Sequence, residues 1–179
     1  MNTRIRYGVL AVLPLALAMS LAACGYSADH SLPKAICGTH VDTDIARPLV
    51  ASAKDLHEFN RVDRGEAKSA PCVLLSERDP VLYFNFYWTV DSPGLERLTK
   101  GDDLALDIVE PHSVHSSDVT FVGNNGAIST ALCRTSGGQH FTLALKLSRV
   151  SPTDRTHRKD IEKFMRAYFP ATLKTLGCK

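Results

Sequence analysis

The chain has 179 residues, 44% of them hydrophobic and 7% aromatic, and its 21 Lys and Arg nearly balance 19 Asp and Glu. It is too apolar for a disordered tail, lacks the basic excess that draws nucleic acid, and shows neither a Gly-X-Y period nor a heptad register. An ordinary globular composition remains, which bounds the architecture and leaves the ligand open.

Residues 1–23 read as an export signal. Arg4 and Arg6 supply a short basic start, and residues 8–18 are apolar apart from Pro14. Such a run is too short for a spanning helix, which needs about 20 apolar residues, and suits a secretory signal. Leu21-Ala22-Ala23-Cys24 follows and resembles the lipobox of bacterial lipoproteins. There the Cys thiol is the nucleophile that accepts a diacylglycerol, and cleavage occurs just before it. Arg4-Ile5-Arg6 is no twin-arginine pair, so the general secretory route is expected. The expected location is the outer face of the cytoplasmic membrane, held by lipidated Cys24.

Cleavage before Cys24 removes 23 residues and leaves 156. It also takes Arg4 and Arg6 from the 21 basic residues, leaving 19 against 19 acidic ones. That length suits one domain with a real core. A neutral body gives no electrostatic pull toward nucleic acid or anionic lipid, so the membrane contact rests on the acyl chains. Residues 24–34 are small and polar and read as the lipidated Cys with a tether, and the domain is expected over 35–179.

With Cys24 lipidated, Cys37, Cys72, Cys133 and Cys178 form an even set, which in an oxidising compartment implies two disulfides. Their spacing is unlike CxxC, which argues against a redox site or a zinc knuckle. Of three possible pairings, Cys37–Cys72 with Cys133–Cys178 is favoured, because each joins a helical segment to a neighbouring strand. Each bridge would stabilise by roughly 3–4 kcal/mol on the chain-entropy estimate.

In chain order, Asp42 or Asp44 can cap a helix through Ile45, Leu49 and Val50, with Pro48 near its first turn. Residues 71–76 and 81–90 form a hairpin, the second strand placing Leu82, Phe84, Phe86 and Trp88 on one face and Tyr83, Asn85 and Tyr87 on the other. Asp91-Ser92-Pro93-Gly94 breaks the chain. Residues 103–109 alternate like a strand. Residues 119–122 and 127–133 flank Gly123-Asn124-Asn125-Gly126, a turn signal because Asn and Gly tolerate positive φ. Residues 140–150 continue an antiparallel meander. The last helix can start at Thr153 or Thr156, carries Ile161, Phe164, Met165, Tyr168, Phe169, Leu173 and Leu176 at helical spacing, should kink at Pro170, and ends at Gly177. The two Cys-bearing hairpins faintly echo each other.

The expected fold is therefore α+β: an antiparallel meander of hairpins packed against an N-terminal and a C-terminal helix, with two disulfides. Chemistry is sparse. Glu110-Pro111-His112-Ser113-Val114-His115, with Asp107 and Asp118, gathers two imidazoles and three carboxylates that could suit a divalent metal, though a solvated loop explains the pattern better. There is no GxSxG elbow for a serine nucleophile, and the glycine turns do not lead into a helix as a phosphate-cradling loop must. Asp102-Asp103 reads as a turn or cap rather than a glycosidase pair. No cofactor is expected. The aromatic strand leaves Tyr83 and Tyr87 as candidate binding residues if its second face is open.

Ile36-Cys37-Gly38-Thr39, residues 55–63, residues 70–75 and residues 157–170, together with the lipobox, resemble small cell-envelope lipoproteins of actinomycete type that have no assigned function. The resemblance implies envelope placement and a compact domain, and carries no active residues. The expectation is a non-enzymatic binding or interaction module for an unidentified protein or small molecule. The alternative is an envelope enzyme or metal protein built on His112 and His115.

Overall fold

The computed structural model describes residues 32–50, 53–60, 68–94, 98–99, 107–115 and 118–178. The segments expected as signal and lipidated tether (except residues 32–34), Asp102-Asp103, and the larger part of the strand expected over 103–109 lie outside them. A seven-stranded antiparallel sheet dominates, in the order β3-β4-β5-β9-β8-β7-β6. Its strands are β3 Leu56–Asn60, β4 Ser69–Ser76, β5 Asp79–Thr89, β6 His112–Val114, β7 Val119–Val122, β8 Gly126–Thr135 and β9 Gly138–Leu147. A small hairpin, β1 Ala35–Ile36 with β2 Thr39–His40, stands apart.

Two meanders, β3-β4-β5 and β6-β7-β8-β9, meet where β5 pairs with β9. The two Cys-bearing hairpins thus join through their second strands. Alternation along β5 puts Leu82, Phe84, Phe86 and Trp88 on the inner face, opposite Leu147, Leu145, Leu143 and Phe141 of β9. Helix α2, Arg158–Thr175, covers that face. Phe84 packs on Phe164 and Tyr168, and Phe141 stacks on Phe169 at 5.9 Å. The Tyr168 hydroxyl donates to the Ile36 carbonyl at 2.7 Å, so the ring fills the core while its polar tip ties β1 to the helix. Thr39 and Thr172 add a buried hydroxyl contact of 3.1 Å.

Both disulfides have the favoured pairing, Cys37–Cys72 and Cys133–Cys178. Gly177 ends α2 at φ 70°, and the Cys178 amide reaches back to the Leu173 carbonyl at 3.0 Å. This left-handed cap aims Cys178 at β8.

Several expectations are corrected. The N-terminal helix is one α turn, α1 Thr43–Ala46, followed by a 3-10 turn, Arg47–Val50. Pro48 has no amide hydrogen to give a continuing α-helix. Asp42 caps the turn by accepting from the Asp44 amide at 2.9 Å. Leu32, expected in the tether, is buried in the core. The last helix starts later than Thr153 or Thr156: Asp154 accepts from the Thr156 amide at 2.8 Å and holds a turn, and His157 precedes the helix with no side-chain cap. The helix runs on through Pro170, which is exposed. Residues 107–109 belong to none of the strands.

Candidate functional site

The loop from Asp107 to His115 was the sequence's metal candidate, and its chemistry is largely committed elsewhere. Arg155 and Arg158 both reach Glu110 Oε2 at 2.7 Å. The Arg155 hydrogen bond, above all, lowers the pKa of the Glu110 carboxyl, with the two guanidinium charges adding to it. A carboxylate shared between two guanidiniums makes a poor metal ligand. His112 and His115 are exposed on and beside the edge strand β6. Among the described residues they form no group of three ligand atoms within bonding reach of one ion; the group that does is Cys37, Cys72 and Glu58. There both sulfurs are tied up in the disulfide, and Glu58 Oε1 accepts from the Cys37 amide at 2.6 Å.

What holds the 107–110 loop is the segment read as a simple hairpin turn. Asn124 and Asn125 are buried, not exposed at a turn tip. Asn125 Nδ2 donates to the Asp107 carbonyl at 2.7 Å, and its Oδ1 accepts from the Val109 amide at 2.9 Å. Asn124 Nδ2 donates to the Pro152 carbonyl at 2.8 Å, while its Oδ1 accepts from Arg158 Nε at 2.5 Å. Neither Asn takes positive φ; among the described non-glycine residues Cys37, Asp55, Glu77 and Glu110 do. Gly123 serves close approach instead, since a Cβ there would lie 2.5 Å from the Val109 oxygen. Sequence reading missed this clasp. Its one available signal was the Asn-Asn doublet, which offers donors and acceptors on both sides of a turn.

The outer face of the sheet is divided. Over β7, β8 and β9 it is covered by Leu98 and Ile108, which pack on Ile128, Ala144, Phe121 and Tyr87. Over β4 and the Tyr83 half of β5 that cover is missing from the described residues. There Val73 pairs with Tyr83, Tyr83 with Lys146, and Tyr83 is 39% exposed. The structure therefore separates the two candidate tyrosines: Tyr83 is on open surface, and Tyr87 is half-buried under Leu98.

Tyr87 borders the second feature, a cavity of about 360 Å3 at the end of the sheet where β4 begins, β5 stops and β8 turns into β9. Its walls include Lys68, Trp88, Val90, Asp91 and Leu98. The backbone is fixed locally, with the Trp88 amide donating to the Lys68 carbonyl at 2.9 Å and Thr89 Oγ1 to the Asp91 carbonyl at 2.6 Å. Trp88 Nε1 is buried with no hydrogen-bond partner. The sequence showed Asp91 to Gly94 only as a chain break.

Comparison of the chain with protein-family models, with curated proteins and with solved structures finds no match.

Proposed function

We propose that this protein is a lipid-anchored, extracytoplasmic binding module that offers the open half of its sheet's outer face to a protein partner at the cell surface. The observation that carries the reading is Tyr83, a large aromatic held exposed by a rigid central strand beside Val73, on a face whose other half is covered. Rigid aromatic anchors on otherwise polar surfaces are characteristic of binding sites. Two disulfides fit an oxidising compartment outside the cytoplasm. No helix among the described residues is long and apolar enough to cross a membrane. Lipidation of Cys24 would supply attachment, and the likeness to cell-envelope lipoproteins agrees with it.

Two experiments test this. A photoreactive residue at position 83 should yield a discrete adduct on intact cells, and one at exposed Lys163 of α2 should not; equal adducts, or none at 83, would overturn the docking surface. A Cys24→Ala protein should leave the membrane fraction, and unchanged retention there refutes the anchor.

A further inference from the structure

We infer that the exposed face of α2 rests on an anionic lipid surface and so turns the open outer face of the sheet away from the membrane; this builds on the Cys24 anchor proposed above. The first observation is charge. Beyond residue 23 the chain balances 19 basic against 19 acidic residues, yet α2 breaks that balance locally. Lys159, Lys163, Arg166 and Lys174 are all exposed, and at about 3.6 residues per turn they fall, with Pro170, within an arc of about 80°. The row they form is about 22 Å long at about 1.5 Å per residue. The acidic residues of the helix, Asp160 and Glu162, flank the row and are half-buried, and Glu162 holds Arg166 at 2.7 Å. Lys159, Lys163 and Lys174 are in no ion pair with a described residue. None of the exposed large hydrophobic residues is on α2, so the contact is with headgroups and not by insertion.

The second observation is where the chain enters the fold. Leu32 is buried in the core and leads directly into β1, which the Tyr168 hydroxyl ties to α2 through the Ile36 carbonyl. Thr39 of β2 meets Thr172 of the same helix. The entry is therefore on the helix side of the sheet. Seven residues, 25–31, separate Leu32 from Cys24, so an anchored Cys24 keeps Leu32 within about 26–29 Å of the lipid even at full extension. That reach matches the length of α2, about 27 Å for its 18 residues. Exposed charges act only within about 10 Å of one another in dilute salt, and the short leash brings the row into that range. A plane of anionic headgroups can meet all four cations at once, as it does with basic segments next to a membrane. The layer order then sets the orientation. Because α2 covers the inner face of the sheet, docking through its exposed side leaves Tyr83 pointing away from the bilayer.

The experiment reconstitutes the protein, purified in detergent from its host, in vesicles of phosphatidylcholine alone or of phosphatidylcholine mixed with phosphatidylglycerol. Flotation reads the anchor, and mass spectrometry follows modification of each lysine by a water-soluble amine reagent. The protein should float with both kinds of vesicle. Lys159, Lys163 and Lys174 should react at least threefold more slowly on the phosphatidylglycerol vesicles, while Lys146, paired with Tyr83 on the outer face, reacts equally on both. Molar salt, which shortens the Debye length to about 3 Å, should remove the difference. Lys163→Glu, at an exposed position, should at least halve the protection of Lys159 and Lys174 with an unchanged melting temperature. Failure to float with phosphatidylcholine vesicles refutes the anchor, and with it the restraint on which the docking depends. Flotation with both kinds of vesicle and equal lysine rates on each overturns the docking alone, as does equal slowing of Lys146.

Discussion

Replacing Asn124 by Ala separates a turn residue from a clasp. At a solvent-exposed hairpin tip the change would cost little, as surface substitutions usually stay within about 0.5 kcal/mol. In the structure Asn124 is fully buried and loses two bonds, one from the Arg158 guanidinium at 2.5 Å and one to the Pro152 carbonyl at 2.8 Å. A bond to a charged group contributes roughly 1.5–3 kcal/mol and a neutral one roughly 0.5–1.5. The expected loss is therefore about 2–4 kcal/mol, a large share of the 5–15 kcal/mol typical of a domain. For a chain of this size it should lower Tm by roughly 5–15 °C. The assay is urea unfolding without reductant, followed by Trp88 fluorescence and by circular dichroism, whose coincidence tests two-state behaviour. Asn124→Asp keeps an acceptor for Arg158 but loses the donor to Pro152, so its cost should be smaller. A loss under about 0.5 kcal/mol for Asn124→Ala would refute the clasp.

Two further outcomes follow from the same geometry. The disulfides close loops of 35 and 45 residues, so replacing either pair by Ala should cost about 4 kcal/mol on the chain-entropy relation, with the two variants close to each other; unfolding curves that match the unmodified protein would contradict it. Glu110 has its pKa lowered in the folded state, first by its Arg155 hydrogen bond. Its contribution is therefore complete above the ordinary carboxylate range and is lost as pH falls through the lowered value. Glu110→Gln should be less stable than the parent at neutral pH, with the two converging in acid, and parallel stability profiles from neutral to acid pH would remove the Arg155–Glu110–Arg158 cluster from the account.

Local pattern made much of this protein legible in advance. The β4–β5 and β8–β9 hairpins followed from period-two alternation around tight turns, because a strand exposes its periodicity in one dimension. The last helix followed in the same way from three-and-four spacing, and Gly177 from the need for a left-handed residue at its end. The disulfide pairing was as expected, but the reason for it, a helical segment joined to a neighbouring strand, holds only for Cys133–Cys178; Cys37 lies in the turn between β1 and β2. Where local chemistry competes, the reading went wrong. Pro48 reduced an expected helix to a single turn, and Asp154 held a turn where Thr153 or Thr156 was expected to open one.

Composition, alternation and cysteine spacing determine by themselves that this chain makes a cross-linked antiparallel sheet with a helix across one face. They act between near neighbours, or through a burial preference that any observer can count along the chain. Only the tertiary structure decided that Asn124 and Asn125 are buried, that Glu110 belongs to two arginines, that one half of the outer face is covered while Tyr83 is not, and that Lys68, Trp88 and Asp91 border one cavity. Those facts depend on the meeting of β5 with β9 and on segments tens of residues apart, and no periodicity along the chain encodes which loops that pairing brings together.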